Sequence, residues 1–270
     1  VGAFALNRYQ WIDDAILDSL NYLFDEGGEV DPGHWQGVST EGHPDLVTQE
    51  VMNLQWSAKM PESREEAAAL IMPNIPWAEN HFQERVGGEP SNPGQWYKTW
   101  PWWNDQDEYT MLDGKFTHTY QERFWPPTNV WGIRYHYGNL NDVVSLLAEN
   151  PHTRQATFPI FFPEDTGSKH GGRVPCTLHY HFLMRDNLLH LWYAIRSCDA
   201  VRHFRDDIYM AVRLAQWVND KLYYLGDGWQ GVEVGDLHFT AYSFHVHKGD
   251  IHRYQDREAP RLHADRGQDR

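Results

Sequence analysis

Cysteine is scarce in this chain. Cys176 and Cys198 are the two in 270 residues. Two thiols build no disulfide framework, so a reducing cytoplasm is the expected compartment. Long apolar runs are missing as well. No stretch approaches ~18 consecutive apolar residues, and no membrane contact is expected. The opening VGAFALNRYQW lacks a basic segment and a long apolar segment, so no signal peptide is expected. Positive charge is in deficit: 23 Lys and Arg stand against 38 Asp and Glu, for a net charge of −15. That balance argues against a nucleic-acid partner gripped through its phosphates. It leaves room for a small anion, because a few placed arginines hold one phosphate whatever the global charge. Sixteen histidines invite a metal, but they are scattered, and neither HExxH nor CxxC occurs, so the expectation is no metal.

What is present describes a folded protein. Apolar residues make up 41% of the chain and aromatics 14%, enough for a substantial core, and one domain over 1–270 is expected. Residues 9–26 place Ile12, Ile16, Leu17, Leu20, Leu23 and Phe24 at helical spacing before Gly27-Gly28. Residues 29–46 read as loop, and 47–56 as a strand. Ser63 with Glu66 marks a helix start, and Pro76 marks another near Trp77. The span 88–131, rich in Trp, Pro, Gly and Asn, reads as a functional loop region or an insertion. Asn141 is expected to cap a helix running through Ala148. Residues 155–162 suggest an edge strand around Pro159. Residues 176–185 and 188–199, joined by Asp186-Asn187, read as a β-hairpin with Leu178, Tyr180, Phe182 and Met184 on one face. Asp206 or Asp207 then opens a helix with the apolar stripe Ile208, Ala211, Val212, Ala215 and Val218. A strand follows from Val232 to about His247, and a polar tail spans 256–270. Strands interleaved with helices make the class α+β or α/β.

Chemistry concentrates between Pro175 and Asp207. Cys176 stands at a strand start, and Arg196 lies on the partner strand. A thiol needs a nearby cation or base to become a nucleophile, and a buried core thiol is the competing reading. Arg196-Ser197 pairs a guanidinium fork with a hydroxyl, suited to a phosphate or, equally, to an ion pair with Asp199. Arg154 has the same two readings. His245 and His247 share a strand face as metal ligands, sugar contacts or plain surface residues. Glu79, on a helix, is either a general acid/base or a solvated surface group.

Together these residues resemble the thymidylate synthase family, and within it the cytidylate hydroxymethylases. The family pattern runs Pro-Cys, strand, turn, strand ending Arg-Ser-x-Asp, then a helix opened by the residue that reads the base. Here it reads Pro175-Cys176, Arg196-Ser197-Cys198-Asp199 and Asp207, without gaps. Gly235-Asp236 with His245-Val246-His247 resembles the family's Gly-Asp and His-x-Tyr. Asn150 through Gln155 resembles its Asn-Pro-Asp-Ser-Arg-Arg. The likeness covers about 150–250.

The resemblance implies an α+β, thymidylate synthase-like fold with a mixed sheet, packed with helices and used in a homodimer interface. It implies a pyrimidine nucleoside monophosphate and 5,10-methylenetetrahydrofolate as ligands. Cys176 becomes the nucleophile toward C6. Arg196 and Ser197 become the phosphate and thiolate partners. Arg154 is lent across the dimer to the other subunit's phosphate. Asp199 contacts base or backbone, and His245 and His247 hold the sugar. Glu79 matches the acid/base glutamate, with Glu84 as rival. Asp207 stands where thymidylate synthases carry Asn. A carboxyl accepts from the amino group of cytosine and shares a proton with N3, but it opposes O4 of uracil. The implied activity is therefore cytidylate 5-hydroxymethylation, with dCMP favoured and CMP open. Three positions depart from the family: HWQGVSTEG carries no arginine, Gln155 replaces the second interface arginine, and His247 replaces the sugar-binding Tyr. The alternatives are a thymidylate synthase or dUMP hydroxymethylase, a non-catalytic nucleotide-binding homologue, and a metal hydrolase.

Overall fold

A computed structural model describes residues 7–35, 38–101, 113–126, 139–166 and 173–252. The proposed tail at 256–270 and parts of the 88–131 span lie outside the described residues. Among these residues the architecture is a seven-stranded mixed sheet packed with six helices. The strands are β1 (Asn7–Tyr9), β2 (Gly28–Val30), β3 (His34–Trp35), β4 (Val38–Ser39), β5 (Thr48–Lys59), β6 (Thr157–Pro159), β7 (Thr177–Arg185), β8 (Leu188–Asp199) and β9 (Glu233–His247). The helices are α1 (Ile12–Glu26), α2 (Arg64–Ile71), α3 (Trp77–Arg85), α4 (Tyr120–Phe124), α5 (Leu140–Glu149) and α6 (Phe204–Tyr223). The main sheet runs β1-β5-β9-β8-β7-β6 with β2 beside β5, while β3 and β4 form a separate ribbon. The β1–β5 and β8–β9 pairs are parallel and the other pairs antiparallel. Among the described residues, no helix is long and apolar enough to cross a membrane.

The hairpin that carries Cys198 and Arg196, with Cys176 just before it, forms where local chemistry demands it. Asp186 and Asn187 both take positive φ, 51° and 61°. These two residue types tolerate that region best after glycine, and the tight turn pairs Arg185 with Leu188. The strand faces differ from the simple alternation in one place. The register shifts between Thr177 and His179, so Thr177 turns inward at 1% exposure and Leu178 is left half-buried. Tyr180, Phe182 and Met184 keep the core face. The bulge re-aims the start of β7, directly after Cys176.

Helix α6 presses Ile208, Ala211, Val212, Ala215 and Val218 into the core, all fully buried. Burying side chains of this size stabilises by roughly 1.5–3 kcal/mol each for the larger ones. Its first residue, Phe204, packs edge-on against Phe244 of β9 at 4.8 Å, and this contact fixes the helix start against the sheet. Helices α2, α3 and α5 pack on α6, and α1 packs on β5. The cap of α5 is Asn139 rather than Asn141. Its side chain accepts from Asn141 and Asp142 backbone N–H groups, while Asp142 reaches back to its N–H. The reciprocal pair needs an acid three residues on, which Asn139 has. The stretch 29–46 holds three short strands and a 3₁₀ turn (Pro44–Leu46) rather than loop alone. Within the aromatic-rich span, Thr119 and Glu122 form a capping box that starts α4.

Candidate active site

The end of β8, the start of β7 and the first turn of α6 meet at one place. Backbone pairing sets it up: the Arg196 N–H donates to the Cys176 carbonyl at 2.9 Å. The Arg196 side chain turns back along the same strand start. Its Nε donates to the Pro175 carbonyl at 2.9 Å and its Nη2 to the Val174 carbonyl at 3.0 Å. The same Nη2 stands 3.9 Å from Cys176 Sγ. The guanidinium therefore both braces the strand start and faces the thiol.

Burial pushes the Cys176 thiol up from its ordinary range; Arg196 pulls it down and the Asp207 charge pushes it up again. The reach of the Asp207 charge to the thiol puts Cys176 and Asp207 in one electrostatic neighbourhood. Asp207 sits in the first turn of α6, with its N–H donating to the His203 carbonyl at 2.8 Å. Burial pushes its carboxyl up to about 7, against the pull of Arg85 and with a further push from Asp206 and Asp199. Behind the thiol, hydroxyls form a chain: Tyr120 OH bonds Thr177 Oγ1 at 3.1 Å, and Thr177 Oγ1 bonds Tyr193 OH at 3.2 Å. Burial raises Tyr120 to about 12.

The raised carboxyl makes a prediction that needs no ligand. An aspartate held at about 7 when folded and near 4 when unfolded binds its proton more readily in the native state. The stabilisation this gives is complete below the unfolded value and is lost as pH rises through about 7. Asp207→Asn removes the loss. The variant is expected to gain stability over the parent at pH 8 by ~2–4 kcal/mol, and little at pH 4. Urea unfolding at the two pH values measures it; an equal effect at both would place Asp207 in an ordinary solvated setting.

Asp199 ends β8 at 8% exposure. Its Oδ1 accepts from the Val201 and Arg202 backbone N–H groups at 3.0 and 2.9 Å and so holds the turn into α6. Its Oδ2 lies 4.0 Å from His247 Nε2. His247 is buried, and its Nδ1 bonds the Leu46 carbonyl at 3.2 Å. His245, opposite Asp199 across the β8–β9 ladder, lies 3.3 Å from Ser243 Oγ through Nδ1. Ser197 is half-buried opposite Ser243. These four thus gather with Cys176, Arg196 and Asp207 at one end of the sheet. Arg154 is exposed on the segment between α5 and β6.

Glu79 is placed elsewhere, on the face of α3 that meets α6. It accepts from Arg213 Nε at 3.0 Å, Tyr209 OH at 2.7 Å and Gln83 Nε2 at 2.7 Å. Burial pushes this carboxyl up, but the Arg213, Gln83 and Tyr209 bonds outweigh it and hold it below its ordinary value. Glu84 accepts from Gln121 Nε2 at 2.7 Å and from the Gln95 N–H. Among the described residues, no hydrogen bond links either glutamate to Cys176 or Asp207. Glu79→Gln is expected to loosen α3 from α6 and cost about 1–3 kcal/mol, by leaving Arg213 poorly paired. Folded Glu79→Gln should keep its activity within about tenfold; a larger loss in steady-state turnover would give Glu79 the acid/base role that the resemblance implies.

Among the described residues, two clusters have metal-type ligands close together: His190, Asp236 and His238, and Asp199, His245 and His247. In the first, His190 Nδ1 accepts the Asp236 N–H at 3.0 Å, so neutral His190 carries its proton on Nε2 and offers no lone pair there. The second shares its residues with the site above. Spacing in the sequence carried no trace of Arg85, Tyr120 or Thr177, although Arg85 pulls the Asp207 carboxyl down, the Cys176 and Asp207 charges push Tyr120 up, and Thr177 joins Tyr120 to Tyr193. The Thr119–Glu122 cap was the one signal near them.

No protein-family model and no curated protein matches this chain.

Proposed function

We propose that the chain is a folate-dependent cytidylate 5-hydroxymethylase with a thymidylate synthase-like fold, acting as a homodimer. The observation that carries the reading is the shared neighbourhood of a thiol, a guanidinium 3.9 Å away and a carboxyl held near neutrality. Each member suits one demand of pyrimidine C5 chemistry. The thiol supplies the nucleophile for C6. Arg196 favours its thiolate and, with Ser197 beside it, offers donors to the nucleotide phosphate. Asp207, balanced between its two protonation states, accepts from the cytosine amino group and gives or shares a proton at N3 as charge builds in the ring.

The coupling between the two titrating groups has a direction. The Asp207 charge opposes the Cys176 thiolate. Sharing a proton with N3 neutralises that charge, so a correctly paired base lowers the barrier to forming the nucleophile. Uracil, which presents N3–H and O4, leaves the charge in place and the repulsion intact.

The folate supplies a one-carbon unit at the methylene level. What supports a planar ligand of this kind is the aromatic surface beside α6. Trp100 stacks on His203 at 4.6 Å and 11°, and Trp77 on His81 at 5.0 Å. Trp100 Nε1 is buried without a hydrogen-bond partner among the described residues, and His81 Nδ1 faces Glu84 Oε2 at 3.6 Å. Flat faces beside an unanswered indole N–H suit a heteroaromatic ring with polar edges. Arg154, exposed, is available to a second copy of the chain, and half-buried His245 to the sugar, with buried His247 behind it against Asp199 and the Leu46 carbonyl.

The test is direct. Purified protein is incubated with 5,10-methylenetetrahydrofolate and either dCMP, CMP or dUMP, and tritium release from C5 and the product are followed. Release from a cytidine nucleotide with a 5-hydroxymethyl product is expected. Turnover of dUMP alone overturns the base assignment. Absence of release from any of the three, in folded protein, overturns the enzymatic reading.

A further inference from the structure

A histidine ligates a metal through a ring nitrogen that carries no proton, and the partner of its other nitrogen decides which one that is. Of the two clusters of metal-type ligands among the described residues, one fails on this point and one meets it. At His190 a backbone N–H, that of Asp236, donates to Nδ1 and leaves the proton on Nε2. At His247 the partner is a carbonyl. Leu46 O lies 3.2 Å from Nδ1, and a carbonyl only accepts, so Nδ1 holds the proton and Nε2 the lone pair. That Nε2 faces Asp199 Oδ2 at 4.0 Å. A lone pair and a carboxylate oxygen turned toward each other repel, and a cation between them replaces the repulsion with two bonds. A shared proton would draw the pair to about 2.7–2.9 Å; the wider gap suits a larger ion.

We propose that Asp199, His245 and His247 form a binding site for one divalent transition-metal ion, held by Asp199 Oδ2, His247 Nε2 and a ring nitrogen of His245.

His245 completes the set. It stands opposite Asp199 across the β8–β9 ladder, and its ring centre is 5.5 Å from that of His247. The three ligand atoms lie within 4.8 Å of one another. Around a tetrahedral zinc, with bonds of about 2.0–2.2 Å, ligand atoms stand about 3.4 Å apart, and small side-chain rotations close the difference. Ser243 Oγ lies 3.3 Å from His245 Nδ1, and a hydroxyl accepts as well as donates, so Nδ1 can keep its proton there and turn the Nε2 lone pair to the ion. Asp199 is fixed in the same way: the Val201 and Arg202 N–H groups hold its Oδ1 and leave Oδ2 toward His247. Such outer partners orient the ligands before the ion arrives.

Burial and charge agree with a cation. Asp199 and His247 are buried and His245 is half-buried, so the cluster is shielded but open on one side. Arg202 Nε stands 3.8 Å from Asp199 Oδ2, but it donates to Asp250 at 2.6 Å. Glu50 pairs with His245 across β5 and β9, and Arg196 is turned to the Val174 and Pro175 carbonyls. The carboxylates of Asp199, Asp250 and Glu50 therefore outnumber the guanidiniums of Arg202 and Arg196. Two imidazoles and a carboxylate suit zinc and its first-row neighbours rather than magnesium or calcium.

The experiment uses the full chain, stripped with EDTA and titrated by calorimetry with Zn²⁺ alone at about pH 7.5, where imidazole is largely neutral. Visible absorption of Co²⁺ gives a second readout. One tight equivalent is expected. His245→Ala, His247→Gln and Asp199→Asn should each weaken it by about 100-fold. Asp199→Asn keeps the Oδ1 that holds the turn, and His247→Gln keeps an N–H for the Leu46 carbonyl. His190→Ala and Cys176→Ser should bind zinc as the parent does. Absence of a tight equivalent overturns the proposal, and so does unchanged affinity in folded His245→Ala, the ligand at the open side. Loss of the equivalent in His190→Ala or Cys176→Ser overturns it as well.

The ion site does not depend on the cytidylate reading; its role does. Three protein ligands leave one tetrahedral position open, and on that reading a hydroxyl of the nucleotide sugar fills it. Zinc should then tighten binding of a cytidine nucleotide by about tenfold, and the nucleotide should tighten zinc by the same factor. Tight zinc in protein that binds no cytidine nucleotide supports the site and overturns the cytidylate reading. Nucleotide bound by protein that takes up no tight zinc overturns the site and leaves that reading standing. Both bound without coupling supports the site and overturns the sugar contact.

Discussion

Cys176→Ser is expected to lower release of the C5 hydrogen from dCMP by ~10³-fold or more while leaving nucleotide affinity within a few-fold. The reason lies in what each atom does. The Arg196 bonds at the strand start go to the Val174 and Pro175 carbonyls and the Arg196 N–H goes to the Cys176 carbonyl, so none of them depends on the sulfur. Serine leaves the brace in place, and with it the donors proposed for the phosphate. It removes a polarisable nucleophile whose anion Arg196 favours and replaces it with a hydroxyl that no described base deprotonates. The measurements are tritium release, trapping of a covalent nucleotide adduct by mass spectrometry, and calorimetric titration with dCMP. Turnover within tenfold of the parent would refute the nucleophile. Loss of binding along with turnover would show instead that the thiol shapes the nucleotide site.

The sequence announced this place better than it announced the rest of the molecule, and the reasons are physical. Local signals were legible. Asp186-Asn187 selects a tight hairpin turn whatever surrounds it, and the stripe on α6 buries one face at helical period, so the hairpin and the helix opened by the acidic pair stand where the pattern puts them. Non-local pairing was not legible. Nothing in β5 states that its neighbours are β1, β2 and β9, or that β8 and β9 run parallel. The bulge at Thr177 defeats simple alternation and moves Leu178 off the core face. Glu79 was readable as a helix carboxylate, but its partner Arg213 lies far along the chain on α6. Arg85 illustrates the deepest gap: an arginine at a helix end is ordinarily solvated, and only tertiary packing turns it inward.

Asp207→Asn is expected to move base preference from cytosine toward uracil by ~10²–10³-fold in the ratio of kcat/KM values. Two terms act in the same direction. The amide offers an N–H to O4 and an oxygen to N3–H, pairing both edges of uracil that a carboxylate would leave opposed. The amide also carries no charge, so the Cys176 thiol loses a neighbour that pushes it up. The second term has its own readout: alkylation of Cys176 by iodoacetamide near pH 7, followed at that residue by mass spectrometry, is expected to be faster in Asp207→Asn than in the parent. The two terms separate by outcome. Faster alkylation with unchanged base preference would keep the electrostatic coupling and assign base reading to another side chain. Altered preference with unchanged alkylation would keep the reader and break the coupling between Asp207 and the thiol. The parent's cytidine turnover should fall as pH rises through about 7, where Asp207 loses the proton it shares with N3. In Asp207→Asn that limb should vanish, because the amide does not titrate, while the rise that reports the Cys176 thiolate shifts to lower pH.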